Sequence, residues 1–168
     1  MTADVYIRDG LAEDAAFVRD AWLSSFRLAY AAGPLPADLY DTAYGAFLDR
    51  LLASPATRVL VAAWSGDETL ICGFVVYMPP GQHDHRRAPC GAPLLLWSYV
   101  KRAYRGMGVA RDLWVAAGVD PRARFCFAFR PGSPGRDVLA KTWTGGHFDP
   151  MVFRFADLTG LRTTRKVG

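Results

Sequence analysis

The chain of 168 residues has few cysteines, little excess charge and no long apolar run. Its three cysteines, Cys72, Cys90 and Cys126, are odd in number and show no Cys-x-x-Cys spacing. That argues against a disulfide framework and a structural zinc site, and favours a reducing compartment. No apolar stretch approaches the ~20 residues that cross a bilayer. Residues 1–8 hold no basic segment followed by an apolar one, so the expectation is a soluble, cytoplasmic protein with no membrane partner. The formal charge of +4 suits anionic ligands but is too small to specify nucleic acid. Internal repeats and low-complexity blocks are also absent.

What the chain does have is apolar and aromatic mass. Hydrophobic residues make up 51% against 21% charged, with 10 Phe, 7 Tyr and 5 Trp, which excludes global disorder. A chain of this length buries roughly 70% of its unfolded surface, enough for one core. One domain is expected over residues 1–158, followed by a flexible basic tail over residues 159–168.

Hydropathy patterning orders the elements. Val5-Tyr6-Ile7-Arg8 alternates as a strand, and Ala15, Val18, Trp22, Phe26 and Ala29 then recur at helical steps, with Glu13 and Asp14 suited to the positive end of that helix. Gly33-Pro34-Leu35-Pro36 breaks the pattern before a second helix marked by Tyr40, Ala43, Tyr44, Phe47 and Leu51, ending near Ser54-Pro55. Residues 58–64 and 70–78 read as a hairpin around Ser65-Gly66-Asp67-Glu68. Residues 79–93 form a long polar loop. Residues 94–100 begin with the continuous run Leu94-Leu95-Leu96-Trp97, the mark of a central strand buried on both faces. A third helix opens at Gly108, a strand spans residues 125–129, a short helix reaches Trp143, and a last strand covers residues 151–155.

The segment that carries chemistry is Ser98-Tyr99-Val100-Lys101-Arg102-Ala103-Tyr104-Arg105-Gly106-Met107-Gly108-Val109-Ala110-Arg111. It reads as strand, glycine turn and helix start. Gly106 and Gly108 let the backbone bend and bring its N–H groups close to an anion, beside the free N–H groups of a helix N-terminus. Lys101, Arg102, Arg105 and Arg111 add positive potential suited to a diphosphate. A Walker loop is excluded because no Gly-x-x-x-x-Gly-Lys-Ser/Thr run exists. The dinucleotide fingerprint fails because Arg111 stands where Gly or Ala is required.

Arg105-Gly106-Met107-Gly108-Val109-Ala110 resembles the Arg/Gln-x-x-Gly-x-Gly/Ala signature of the GCN5-related N-acetyltransferases (GNAT), and the element order β-α-α-β-β-β-α-β-α-β is similar to that family's. The stretches 17–27 and 97–110 together resemble phage- and prophage-encoded members. The resemblance implies an α/β (mixed α+β) fold: a mixed, mostly antiparallel sheet of about six strands, about four helices, and a cleft where the fourth and fifth strands, parallel, splay apart. It implies acetyl-CoA as acyl donor without a metal, and a primary amine as acceptor attacking the thioester directly. By position, Arg105, Gly106, Met107, Gly108, Val109, Ala110 and Arg111 would surround the pyrophosphate, and the main chain at Tyr99 and Val100 would pair with the pantetheine arm. Many members place a Tyr after the fifth strand as general acid. All seven tyrosines here lie at or before Tyr104, so that role is vacant or falls to Tyr99, Ser133 or water. His83 and His85 are candidate bases or solvated loop residues, and His147 carries the same ambiguity. Trp97 and Trp143 either line an acceptor pocket or pack. The acceptor pocket is expected from residues 33–38 and 79–93, in a monomer or homodimer. Two other readings stand beside this one: a phage-related nucleic-acid-modifying or nucleic-acid-associated protein using Arg86, Arg87, Arg102 and the basic tail, and a catalytically silent CoA-binding module.

Overall fold

The structure, a computed structural model, describes residues 5–30, 36–81, 92–120, 122–123, 125–128 and 145–148. Alternating and apolar runs pair into a six-stranded sheet in sequence order, β1 (Val5–Asp9), β2 (Arg58–Trp64), β3 (Asp67–Met78), β4 (Leu94–Val100), β5 (Phe125–Phe127) and β6 (Gly146–Phe148). The first three pairings are antiparallel, and β4–β5 and β5–β6 are parallel. The expected mixed sheet is therefore present.

Three α-helices lie among the described residues: α1 (Ala15–Tyr30), α2 (Ala37–Leu52) and α3 (Val109–Ala116). Trp97 stacks on Trp22 of α1, with centroids 5.8 Å apart and planes 8° apart, while the next residue, Ser98, meets Trp114 of α3. Successive strand residues point to opposite faces. Helices α1 and α3 therefore cover opposite faces of the sheet. Tyr44 of α2 stacks on Phe26 of α1 at 4.4 Å, which extends the aromatic layer from the sheet to the outer helix. Trp22 and Phe74 are fully buried in this core, where truncating an aromatic to alanine typically costs about 3–5 kcal/mol.

Several boundaries differ from the sequence reading. β3 starts at Asp67, so Ser65 and Gly66 alone make the turn; the charged start of β3 is solvent-exposed, and hydropathy does not report an exposed strand. β6 was not foreseen, because three residues are too few for a periodic signal. A one-turn 3-10 helix, Arg102–Tyr104, precedes the glycine turn. Asp14 does not serve the α1 dipole from the surface. It is buried, and its carboxylate accepts from Arg8 Nη1 at 2.6 Å, Arg8 Nη2 at 3.1 Å and the Leu11 N–H at 2.7 Å. Those bonds, the Arg8 pair foremost, hold its carboxyl below the ordinary range. The helix expected before Trp143, the strand expected over residues 151–155 and the basic tail lie outside the described residues. No helix among the described residues is long and apolar enough to cross a membrane.

Candidate functional site

The site begins with an irregularity in β4. Val76 pairs with Trp97 but Tyr77 pairs with Leu95, so Leu96 is an extra residue, a β-bulge in β4. On one side of the bulge, the Leu95 carbonyl accepts from the Ala128 N–H at 2.8 Å and faces β5. On the other, the Lys101 N–H donates to the Cys72 carbonyl at 2.9 Å and faces β3. Antiparallel alternation then turns the main chain of Trp97 and Tyr99 toward β3 and that of Ser98 and Val100 away from it.

Among the described residues, β5 does not follow β4 to that end. The paired residues are Leu94 with Cys126 and Leu95 with Phe127. Beyond them, among the described residues, the edge of β4 from Ser98 to Val100 has no strand partner on its β5 side. Burial records the opening: residues 94–97 are buried, and Ser98, Tyr99 and Val100 are only partly so. The run Leu94-Leu95-Leu96-Trp97 thus marks the part of β4 closed on both faces, and the more polar sequence after it marks the splay.

At the open end the chain turns through Gly106 and Gly108, both left-handed, at φ +82° and φ +86°. L-residues with a β-carbon rarely adopt that conformation, so glycine is required here. Gly108 is the N-cap of α3 and has no side chain to cap the helix, so the first-turn N–H groups of Val109, Ala110 and Arg111 keep no side-chain cap and no intrahelical acceptor. They carry the partial positive charge of the helix end. Arg105 is exposed, and its Nε–H donates to the Val100 carbonyl at 3.0 Å, bracing the turn against the open edge of β4. Met107 is 47% exposed on the same turn.

Not every cation of this segment faces the turn. Lys101 places its ammonium over the Phe17 ring on α1, 4.7 Å from the centroid. Arg111 bonds the Asp112 carboxylate at 2.9 Å, which offsets its charge. The Tyr99 ring lies against Phe74 at 5.6 Å, and Phe74 in turn meets Phe17 edge-on at 6.1 Å, so Tyr99 belongs to the aromatic layer under α1. Trp97 is 5% exposed, and its Nε1–H donates to Ser25 Oγ at 3.2 Å, which makes it a packing residue. His83, His85, Arg86, Arg87, Ser133 and Trp143 lie outside the described residues.

A separate depression of ≈ 400 Å³ sits at the opposite end of the sheet, bordered by Asp9, Leu11, Thr57, Arg58 and Val59. Its buried carboxylate, Asp14, already accepts three hydrogen bonds, so it is not free to take a proton. Sequence reasoning missed the bulge at Leu96 and the Trp114–Ser98 contact, since neither leaves a local pattern in the residue order.

No protein-family model and no curated protein matches the sequence. Solved structures do. A candidate acetyl transferase from Pyrococcus furiosus superimposes with a TM-score of 0.60 at 15% identity, covering 82% of this chain and 90% of that one. The AAC(6')-Iy structure with the bisubstrate analogue CoA-S-monomethyl-acetylneamine gives a TM-score of 0.54 at 14% identity, covering 89% of this chain and 96% of that one. The aminoglycoside N-acetyltransferase AAC(6')-Iy with CoA gives 0.51 at 16% identity, covering 81% and 84%. With its bulged fourth strand, parallel β4–β5 splay and glycine turn into α3, the chain has the fold of the GCN5-related N-acetyltransferases.

Proposed function

We propose that the protein is an acetyl-CoA-dependent N-acetyltransferase that acylates a primary amine. The observation that carries this reading is the conjunction at one end of the sheet of a β4 edge without a strand partner among the described residues and N–H groups without a side-chain cap at the start of α3. The two fit the two halves of one ligand. A diphosphate suits the N–H groups of Gly106, Gly108, Val109 and Ala110, with Arg105 beside them. An extended amide-bearing arm suits the main chain of Ser98 and Val100, adding as a strand would. Of the two residues expected to pair with that arm, Val100 turns its main chain to the open side and Tyr99 turns toward β3.

Acetyl-CoA supplies an acyl group activated as a thioester. The amine lone pair forms the new C–N bond to the acyl carbon and the C–S bond breaks. The thiolate leaves with the electron pair, and the proton lost by the amine balances it. The chain's contribution is placement: the turn fixes the nucleotide end, the β4 edge fixes the arm, and main-chain N–H groups near the bulge face the developing oxyanion. The proton lost by the amine is taken by His83, His85 or water, and the general-acid role toward the thiolate falls to Tyr99, Ser133 or water.

Calorimetry with acetyl-CoA, followed by a thiol-release assay across primary amines, tests the reading. Binding with turnover on at least one amine is expected. Absence of binding at millimolar acetyl-CoA overturns it. The sequence offers no tyrosine after Tyr104 as a general acid, which favours a second reading, a catalytically silent CoA-binding module. Tight binding with no turnover on any amine selects that one.

A further inference from the structure

The bulge in β4 sits in a run that gives it no preferred place. Leu94, Leu95 and Leu96 are alike and all buried, so hydropathy does not select which of them is the extra residue. A one-residue slip of the strand beyond the bulge would turn every side chain there to the other face of the sheet and swap the main-chain groups on its two edges. Contacts on both sides of Leu96 oppose such a slip. Upstream, the Leu95 carbonyl is held by the Ala128 N–H at 2.8 Å. Downstream, the first residue past the bulge is Trp97, and α1 holds it. Its ring stacks on Trp22 and meets Phe26 at 5.5 Å, and its Nε1–H donates to Ser25 Oγ at 3.2 Å. The single hydroxyl proton of Ser25 goes to the α1 backbone, with the Ala21 carbonyl at 2.5 Å and the Trp22 carbonyl at 3.2 Å, which leaves a lone pair for the indole. Tyr99 and Lys101 share that face through ring contacts with Phe74 and Phe17. Ring contacts tolerate sliding, whereas a hydrogen bond weakens steeply as its angle departs from linear.

We propose that Ser25 of α1 is a positioning residue that, through its hydrogen bond to the Trp97 indole, pins the β4 bulge at Leu96 and so keeps the main chain of Ser98 and Val100 on the open edge that receives the pantetheine arm. The role in gripping the arm rests on the acetyl-CoA reading of the site. Ser25 acts at a distance from the ligand: its partner Trp97 turns its main chain toward β3, and the residue after it, Ser98, is the first past the bulge to turn its main chain to the open side. An arm adding to that edge and the pin on the opposite face of β4 favour the same register, so each strengthens the other.

Amide hydrogen exchange on the full chain tests the pin, with CoA and its nucleotide half, 3′-phospho-ADP, which lacks the arm, as ligands. Ser25→Ala removes the acceptor, Trp97→Phe keeps an aromatic ring and removes the donor, and Ser25→Thr keeps the hydroxyl. In Ser25→Ala and Trp97→Phe the amides of Trp97 and Tyr99, which face β3, should exchange roughly five-fold faster, the effect of losing about one net hydrogen bond from the closed state. The amides that join β1 to β2 should keep their wild-type rates, and Ser25→Thr should restore slow exchange. Saturating CoA should slow the two β4 amides again in Ser25→Ala, whereas 3′-phospho-ADP should leave them fast. Unchanged exchange at Trp97 and Tyr99, or an acceleration spread evenly over the sheet, overturns the pin. Equal protection by the two ligands overturns its link to the arm. If Trp97→Phe does not fold, the two Ser25 variants decide alone. A wild-type chain that binds neither ligand by calorimetry overturns the acetyl-CoA reading and the grip on the arm with it, whatever the exchange rates show.

Discussion

Gly73 of β3 lies so close to Tyr99 of β4 that a β-carbon at position 73 would stand 2.7 Å from the Tyr99 carbonyl oxygen and 3.2 Å from the Val100 Cα. The neighbour is backbone, so it gives way only if β4 itself moves. The close approach lies at the open end of β4, and β3 thereby acts as a backstop for the edge that faces the cleft.

Gly73→Ala should therefore push Tyr99 and Val100 outward. The expected cost is about 1–3 kcal/mol of stability, the usual effect of overpacking. Denaturant unfolding measures it. CoA binding should weaken as well; an unchanged affinity would show that the strand edge accommodates the shift.

Gly108 tests the turn. Its φ of +86° is strained for any L-residue, and the space where a β-carbon would go is bounded by Arg111 and Asp112 side chains at 3.6–3.9 Å, which is ordinary contact. Gly108→Ala should cost about 1–2 kcal/mol through conformation alone. Gly108→Trp adds bulk where the diphosphate is proposed to lie and should abolish CoA binding by calorimetry. Retained binding would move the nucleotide subsite elsewhere.

Arg105 and Lys101 are four residues apart and face different partners. Arg105→Ala removes the brace on the Val100 carbonyl and a cation at the turn, so CoA affinity should fall and its salt dependence should flatten. Lys101→Met leaves an apolar chain over the Phe17 ring and should leave CoA affinity unchanged. Titrations at two ionic strengths separate the two outcomes.

The Arg8–Asp14 pair makes stability depend on pH. Its hydrogen bonds lower the folded-state pKa of Asp14 below the unfolded value, so its contribution is present above the unfolded pKa near ~4. It is lost as pH falls through the folded pKa. Asp14→Asn leaves the Arg8 charge without its partner and should cost about 3 kcal/mol at neutral pH. That lowers the Tm by roughly 6–12 °C for a chain of this size. The gap between wild type and variant should close in acid. A gap that is constant down to pH 2 would show that the pair adds no charge-dependent stability.

Much of the fold was legible in the residue order. Val18, Trp22 and Phe26 recur at helical spacing, and α1 buries Val18 and Trp22. The unbroken run Leu94-Leu95-Leu96-Trp97 identified the strand buried on both faces, since only such a strand has no polar alternation. Gly106 and Gly108 announced left-handed backbone next to a helix start, because that conformation is a property of the residue itself.

Direction and registry were not legible. Residue order places Lys101, Arg105 and Arg111 in one basic cluster, but their long side chains take different partners, the distant Phe17 ring for Lys101 and the nearby Val100 carbonyl and Asp112 carboxylate for Arg105 and Arg111. The extra residue at Leu96 leaves no trace in a run of identical leucines, yet it reverses which main-chain groups face the cleft. The sequence by itself determined the elements, the buried strand and the glycine turn, because backbone preference and hydropathy are local. Only the tertiary structure decided the register of β4 and which of its main-chain groups face its open edge, because these depend on how β3 and β5 pair with it from positions distant along the chain.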